Sequence, residues 1–245
     1  MDRWTGKVAV VTGASSGIGA AIVQELVRSG LTTVGLARRV DRVEALKGSL
    51  PVEAAARLHS LKCDVTNEED ISRAFSYVCA KFGGVDVLVN NAGISRDCTA
   101  LMTGNGRDVR EIFETNVLGL ITCSREAFQS MKSRGSDGHI IHINSVAGHQ
   151  VLDLPRQSVY SPSKFAVTAL TESMRTELRN QGTKIKVTSI SPGIVKTEIL
   201  DGIPNVEQLP MLLPEDIAGA VIYVLSTPPR VQIHELTIRP VGEPF

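Results

Sequence analysis

The chain has 245 residues, of which 42% are hydrophobic, and it carries 26 basic and 26 acidic side chains. This length suits one α/β domain with a sizeable core, and the balanced charge, without a basic stripe among aromatics, argues against a nucleic-acid partner. The widely spaced Cys63, Cys79, Cys98 and Cys123, together with the lack of clustered histidines, predict reduced thiols and no metal site. No signal-peptide pattern or bilayer-length apolar run is present, so we expect a cytoplasmic protein without a membrane span.

Short β-branched runs alternate with longer helical patterns along the whole chain. The strand runs are apolar almost throughout, which is typical of strands covered on both faces. The predicted strands are residues 7–12, 32–37, 58–63, 85–90, 139–144, 184–191 and 232–238, and the predicted helices are residues 17–29, 42–50, 68–82, 108–134, 160–181 and 214–226. Because such alternation implies parallel pairing, we predict an α/β fold in which residues 1–245 form a single doubly wound (Rossmann) domain. Its parallel sheet has about seven strands flanked by helices.

A glycine cluster follows the first predicted strand. Residues 12–19 read T-G-A-S-S-G-I-G and lead directly into the first helix. Glycines let the backbone approach a pyrophosphate at the helix N-terminus, where free N–H groups and the helix dipole favour anions. A glycine cluster alone could be a plain turn, but this position favours a dinucleotide site. The cofactor contacts expected here are Gly13, Ser15, Ser16, Gly17, Ile18 and Gly19.

The spacing T-G-x-x-x-G-I-G resembles the short-chain dehydrogenase/reductase family, and the resemblance extends over nearly the whole chain. It implies adenine contacts after strand three, a cofactor-lining N-N-A-G segment after strand four, and a loop after strand six that holds the nicotinamide carboxamide. The residues carrying these matches are Asp64, Val65, Asn90, Ala92, Gly93, Pro192, Gly193 and Thr197. Each alone could be a cap or a turn. Together they follow strand ends in order, where ligands bind in α/β sheets.

The end of strand two indicates which nicotinamide cofactor binds. An NAD enzyme would place an acidic residue there, but this chain has Arg38 at that position, followed by Arg39. A guanidinium can bind a 2′-phosphate through charge-assisted hydrogen bonds, whereas a carboxylate would repel it. The alternative is that both arginines are simply solvated at the start of a surface helix. We predict that Arg38 and Arg39 select NADP(H).

A second group of candidate residues carries the chemistry: Asn116, Ser145, Tyr160 and Lys164. Tyr160 and Lys164 are one helical turn apart and therefore share a face. A tyrosine titrates near pH ~10 in water, so we expect the lysine and the positive nicotinamide ring to lower the pKa of Tyr160. Tyr160 would then exchange a proton with an alcohol or carbonyl as hydride moves. Ser145, just past strand five, would hydrogen-bond the same oxygen.

The family resemblance adds further roles to this group. It implies that Asn116 anchors a water chain leading from Lys164 to solvent, and that Tyr160 and Lys164 also contact the cofactor. Taken alone, a Y-x-x-x-K pair, a serine ending a strand and a helical asparagine are usually structural. Their order behind a cofactor loop favours catalysis. The chain departs from the family in one respect, since the loop between Ser145 and Tyr160 is longer than usual.

Residues 198–213 resemble the mobile substrate lid of the family. Apolar pocket contacts are expected from Ile199, Leu200, Ile203, Leu209, Met211 and Leu212 in the lid, and from a facing wall of Val151, Leu152 and Leu154. Such a pocket suits a lipophilic alcohol or ketone, although several of these side chains could instead pack the lid onto the core. Residues 1–7, 38–39 and 158–166 look most like the branch containing insect farnesol dehydrogenases and 17-beta-hydroxysteroid dehydrogenase-like reductases. That resemblance implies isoprenoid or steroid-like substrates.

These patterns predict an NADP(H)-dependent oxidoreductase that interconverts a lipophilic alcohol and its aldehyde or ketone. The alternatives are a general carbonyl reductase of small ketones and a non-enzymatic NADP-binding sensor. The presence of all four residues Asn116, Ser145, Tyr160 and Lys164 argues against the sensor. An interaction scaffold is a further alternative, because helices 108–134 and 160–181 are long. In the family these helices form homodimer and homotetramer contacts, so we expect a homo-oligomer. We assign no role to His149, which we expect to be a partly solvated loop residue.

Overall fold

Seven parallel strands form one sheet in the computed structural model, which describes residues 1–152, 158–203 and 205–244. The strands are β1 (Val8–Thr12), β2 (Thr32–Ala37), β3 (Leu58–Lys62), β4 (Val87–Asn90), β5 (His139–Ile143), β6 (Lys186–Pro192) and β7 (Glu235–Ile238). They lie in the order β3-β2-β1-β4-β5-β6-β7, and every pairing is parallel. The predicted doubly wound α/β sheet is therefore confirmed.

Helices cover both faces of this sheet. They are α1 (Gly17–Arg28), α2 (Val40–Ala45), α3 (Val52–Ala55), α4 (Glu68–Phe82), α5 (Gly106–Phe113), α6 (Leu120–Ser133), α7 (Tyr160–Asn180) and α8 (Pro214–Ser226). Short 3₁₀ turns at Asp2–Trp4, Leu46–Ser49, Val146–Gly148, Glu198–Leu200 and Val206–Gln208 join some of these elements. The predicted helix 42–50 thus consists of the end of α2 and a 3₁₀ turn. The short α3 was not predicted.

The alternation of side chains in the strands builds two cores. Ala9 and Val11 of β1 point to the face covered by α1 and α8, whereas Val8 and Val10 point to the face covered by α4, α6 and the end of α7. All four side chains are buried, as are those of β4 and β5. This two-sided burial is the reason why β1 and β4 are apolar almost throughout.

The helix predicted over residues 108–134 is interrupted. Between α5 and α6 the structure has a wider, π-helical turn at Glu114–Gly119. A Cβ atom at Gly119 would lie 2.6 Å from the carbonyl oxygen of Val65, so the glycine allows the chain after β3 to approach this turn closely. Such turns often occur at functional sites. Here the turn contains Asn116, one of the predicted catalytic residues.

Neither a membrane-spanning helix nor a metal cluster is found in the part of the chain that the structure describes. Over those residues, no helix is both long and apolar enough to cross a bilayer. The same residues contain no group of three or more His, Cys, Asp or Glu side chains arranged to hold a metal ion.

Candidate active site

A cleft of 510 Å³ opens at the carboxyl ends of β1 to β4, where the strand order reverses. In doubly wound sheets this reversal is where ligands bind. The predicted cofactor residues that line the cleft are Gly13, Ser15, Ser16, Gly17, Ile18, Arg38, Arg39, Asp64, Val65, Ala92, Gly93 and Thr197. The cleft is also lined by Ile199, which was predicted as a substrate-pocket contact, and by Leu36, Ala37, Cys63, Asn91, Ile94, Ser95, Arg96, Thr115, Glu198 and Asp201.

The glycine loop is tightly packed against the chain that follows β4. Gly13 and Gly17 have φ angles of +66° and +52°, which few other residues adopt. A Cβ atom at Gly13 would lie 2.8 Å from the Cα of Ala92. A Cβ atom at Gly19 would collide with the carbonyl oxygen of Gly13 and the amide of Asn91. Gly19 therefore allows the loop to pack closely against Gly13 and Asn91, and it is not among the residues that line the cleft.

The two asparagines at the end of β4 have different positions from those that the sequence suggested. Asn90 was expected along the cofactor, but its buried amide donates to Ser124 Oγ at 2.8 Å, inside the molecule. Asn91 lines the cleft instead, and its Nδ2 donates to the carbonyl oxygen of Thr12 at 2.9 Å. Adjacent side chains along a strand point to opposite sides. The side chain of Asn90 therefore points into the core, whereas that of the next residue, Asn91, faces the cleft.

A second, smaller pocket of 140 Å³ adjoins the cleft and contains three of the four predicted catalytic residues. Ser145, Tyr160 and Lys164 line it, and it shares Ile18, Asn91, Gly93, Ser95, Thr197 and Ile199 with the cleft. The predicted Pro192 and Gly193 also line it. Its wall is otherwise mostly apolar: Ile143, Val146, Leu152, Ile194, Val195, Leu200 and Ile203.

Ser145 and Tyr160, which both line this pocket, are joined by a hydrogen bond. Ser145 follows β5, and its hydroxyl also accepts from the backbone N–H of Ala147 at 3.1 Å. Burial raises the pKa of Tyr160 to about 12, while the hydrogen bond from Ser145 acts to lower it. For the chain by itself, the cost of burying a phenolate is larger than the effect of this hydrogen bond. The expected lowering of this pKa by Lys164 together with the positive nicotinamide ring stays a prediction.

Lys164 reaches the backbone of β5 rather than the tyrosine hydroxyl. Its Nζ donates to the carbonyl oxygen of Ile143 at 3.0 Å and lies 5.7 Å from the centre of the Tyr160 ring. Burial lowers the pKa of Lys164 to about 8, since an ammonium loses hydration there. At neutral pH most molecules therefore carry a charged Lys164, which places a positive charge in the pocket wall.

Asn116 is not among the residues that line the pocket, and its side chain hydrogen-bonds to Ile94 and Ser163. Its Oδ1 accepts from the N–H of Ile94 at 2.8 Å, and its Nδ2 donates to the Ile94 carbonyl and to Ser163 Oγ, both at 3.0 Å. Ser163 in turn donates to the carbonyl oxygen of Tyr160 at 2.6 Å. Asn116 thus connects the chain after β4 to the first turn of α7, which carries Tyr160.

Comparisons with known proteins agree with this geometry. Residues 7–208 match the family profile described as short chain dehydrogenase. This chain belongs to the short-chain dehydrogenase family. It is 63% identical over 245 residues to farnesol dehydrogenase of Aedes aegypti, with 100% of both chains covered. It is 47% identical to dehydrogenase/reductase SDR family member 11 of Homo sapiens, covering 99% of this chain and 97% of that one.

Solved structures give the same result. An alcohol dehydrogenase from the archaeon Thermococcus sibiricus, complexed with 5-hydroxy-NADP, superposes with a TM-score of 0.86 at 31% identity over 97% of each chain. The closed form of serine dehydrogenase complexed with NADP+ gives a TM-score of 0.85 at 29% identity, covering 97% of this chain and 96% of that one. The predicted family and branch are confirmed, and this short-chain dehydrogenase is an oxidoreductase.

The residues predicted to form a lid differ in their positions. Ile199, Leu200 and Ile203 line the smaller pocket, whereas Leu209 and Met211 are not among its lining residues. Leu212 packs against the core, and its backbone pairs with that of Ile194 and Lys196. The alternative of packing onto the core therefore applies to Leu212.

The facing wall of the pocket is only partly described. Leu152 lines the pocket, but Val151 is 73% exposed and does not. Leu154 lies outside the described residues. His149 hydrogen-bonds Ser191 Oγ at 3.0 Å and is not among the lining residues, in keeping with the absence of an assigned role.

The loop after β6 is held by a residue from the far end of the chain. The N–H of Ile194 donates to Glu243 Oε1 at 3.0 Å, and Glu243 also pairs with Arg239 at 3.0 Å. A Cβ atom at Gly193 would collide with the Glu243 carboxylate. Glu243 was not predicted from the sequence, because an acidic residue in a turn carries no local signal of such a contact.

Proposed function

We propose that this protein is an NADP(H)-dependent short-chain dehydrogenase that interconverts a lipophilic alcohol and its aldehyde or ketone, the alcohol being an isoprenoid such as farnesol or a steroid-like compound. One observation carries the proposal. The hydroxyls of Ser145 and Tyr160 meet in a mostly apolar pocket that is continuous with a cleft bordered by Arg38 and Arg39.

The cleft fits a dinucleotide with a 2′-phosphate. The glycine loop at the start of α1 keeps its shape because Cβ atoms at Gly13, Gly17 and Gly19 would collide with neighbouring protein atoms. N–H groups at this helix start favour a pyrophosphate. Arg38 and Arg39 would bind the 2′-phosphate, and Asp64 and Val65 lie where adenine contacts are expected. Pro192, Gly193 and Thr197 would hold the nicotinamide end. When bound, this cofactor supplies or accepts the hydride.

The proton chemistry belongs to Tyr160. With a pKa of about 12, its hydroxyl is protonated at neutral pH and can donate to a carbonyl oxygen as that oxygen becomes negative. Ser145 can stabilise the same oxygen with a second hydrogen bond. For alcohol oxidation Tyr160 must act as a base, so nearby positive charge is needed to lower its pKa. Lys164 supplies part of that charge.

The substrate class rests on the pocket wall. Beyond the polar pair, most of its surface comes from aliphatic side chains, including those of Leu152, Ile199, Leu200 and Ile203. A pocket of this kind favours an apolar substrate with one polar end. Residues 198–213 are the proposed lid of a single NADP-binding domain, residues 1–245. The relative named farnesol dehydrogenase, 63% identical, supports an isoprenoid alcohol.

A substrate panel tests the proposal. Farnesol, retinal, ketosteroids, aromatic diketones, short ketones and short polar sugars would be assayed in both directions, with NADP(H) and with NAD(H). We expect the highest kcat/KM for a lipophilic substrate with NADP(H). Turnover confined to short polar sugars would contradict the lipophilic assignment, and preference for small ketones would favour a general carbonyl reductase. NADP binding without any turnover would favour a sensor.

We also propose a homodimer or homotetramer in the cytoplasm. The apolar side chains of Leu118 and Phe165 are 55% and 41% exposed on the helices that the family uses for subunit contacts. Covering them in a second subunit would remove apolar surface from water. Light scattering of the purified protein measures the mass, and a monomer at micromolar concentration would contradict this proposal.

A further inference from the structure

Glu198 connects the proposed lid to the proposed 2′-phosphate site. It directly follows Thr197 and begins the first turn of the lid, Glu198–Leu200. Each of its carboxylate oxygens meets a different guanidinium group: Oε2 lies 2.8 Å from Arg39, and Oε1 lies 2.6 Å from Arg42. Arg39 also donates to Ser16 Oγ in the glycine loop at 3.2 Å. The carboxylate is thus held between the two arginines at the edge of the cleft.

The negative charge of the Glu198 carboxylate resembles that of a bound phosphate group. Hydrogen bonds from Arg39 and Arg42 lower the pKa of Glu198 to about 2, so the carboxylate is ionised at neutral pH. A carboxylate and a phosphate offer a guanidinium the same kind of acceptor oxygens, and the phosphate carries more charge. Both partners in each ion pair are about half exposed, so the pairs are weak enough for a stronger anion to replace them.

We propose that Glu198 occupies the position that the 2′-phosphate of NADP(H) takes, and that it is a specificity-determining residue which competes with this phosphate for Arg39 and Arg42. This inference rests on the proposed NADP(H) function. It adds Arg42 to the residues proposed to bind the phosphate. NAD(H) has no phosphate there, so it binds with the ion pairs intact.

The competition has a consequence for the pocket. Glu198 is followed by Ile199 and Leu200, whose side chains line the catalytic pocket. Release of Glu198 by the phosphate detaches the first turn of the lid from α2, whereas NAD(H) leaves it attached. The lid therefore responds to the presence of the phosphate and not to the dinucleotide alone.

Binding measurements on the full chain test this inference without turnover. The probes are NADP+ and NAD+, with adenosine 2′,5′-bisphosphate and AMP as shorter ligands, titrated by calorimetry. Since Glu198→Gln keeps the shape and removes the charge, we expect it to increase the affinity for both phosphate-bearing probes by about three- to tenfold. The affinities for NAD+ and AMP stay unchanged. Arg42→Ala weakens binding of the phosphate-bearing probes alone.

Glu207→Gln is the matched control, because it makes the same change in the next turn of the lid, Val206–Gln208. It leaves all four affinities unchanged. The inference is overturned if Glu198→Gln weakens NADP+ binding, shifts NADP+ and NAD+ equally, or has no effect, or if Arg42→Ala leaves NADP+ binding intact. A wild-type protein that binds NADP+ no better than NAD+ would instead contradict the proposed cofactor preference itself.

Discussion

At the scale of single residues, burial is the main influence on the chemistry of the candidate site. Tyr160 and Lys164 sit in one pocket, yet the pKa of the first is raised to about 12 and that of the second is lowered to about 8. Both shifts favour the neutral form, as expected where charged groups lose hydration. The chain alone therefore holds Tyr160 in its protonated form, and additional positive charge is required before Tyr160 can act as a base.

Replacing Tyr160 with phenylalanine keeps the ring and removes the group that transfers the proton. We expect kcat to fall by about 10²- to 10⁴-fold, the usual contribution of a general acid or base, while NADPH affinity changes little. Steady-state turnover and a fluorescence titration with NADPH measure the two effects. Tyr223→Phe, whose ring is 56% exposed on α8, is the control and should keep full activity. Retained turnover in Tyr160→Phe would assign proton transfer to another group.

The buried Lys164 should make stability depend on pH. Its pKa is about 8 in the folded chain and 10.5 in the unfolded one, so the unfolded chain binds more protons between these values. Stability should therefore rise with pH over this window, by at most about 3 kcal/mol, and the penalty is fully present below pH ~8. Denaturant unfolding of wild type and Lys164→Met at several pH values measures the difference. We expect the variant to lose this rise, and equal slopes would contradict the prediction.

At the scale of elements, the site depends on close contacts between loops at strand ends and the helices that follow. The π-helical turn Glu114–Gly119 brings Asn116 to the chain after β4, and the glycine loop fits against the same segment. A helix of regular pitch was predicted over residues 108–134, since hydrophobic periodicity does not reveal a single widened turn. Contacts behind the cleft thus shape it as much as the residues that line it.

The close packing around Gly19 provides a test of whether these loop contacts support the cleft. Gly19→Ala places a methyl group against the Gly13 carbonyl and Asn91, which should destabilise the fold by about 1–3 kcal/mol and weaken NADP+ binding at least ~10-fold. Gly219→Ala, in α8 with open space around it, is the control and should be neutral or stabilising by about 0.5–1 kcal/mol. Chemical denaturation and calorimetry measure both variants. Similar behaviour of the two would contradict the proposed packing role.

At the scale of the whole molecule, residues distant in the sequence meet around the two ends of the proposed cofactor. Glu198 meets Arg39 across 159 positions at one end, and Glu243 supports Ile194 across 49 positions near the other. The parallel sheet makes this possible, because it brings the carboxyl ends of all strands to one edge.

Glu243 should therefore matter for both stability and cofactor binding. Its side chain is 2% exposed, and Glu243→Ala leaves the N–H of Ile194 without this acceptor, at a cost of about 1–3 kcal/mol. We expect lower stability and a higher KM for NADP(H), because the loop after β6 loses its support. Thermal unfolding and kinetics measure both, with the exposed Glu177→Ala of α7 as control. A change in stability without a change in KM would restrict Glu243 to anchoring the chain end.

The sequence by itself determined the alternation of strands and helices, the family, and the candidates at strand ends. These features depend on local spacing: the period of buried strands, the glycines of a turn, and one helical turn between Tyr160 and Lys164. Only the tertiary structure decided that Asn91 and not Asn90 lines the cleft, that Glu198 holds Arg39 and Arg42, and that Glu243 supports the loop after β6. Such contacts depend on which loops meet across the sheet and how deeply they are buried, and local spacing carries no information about either.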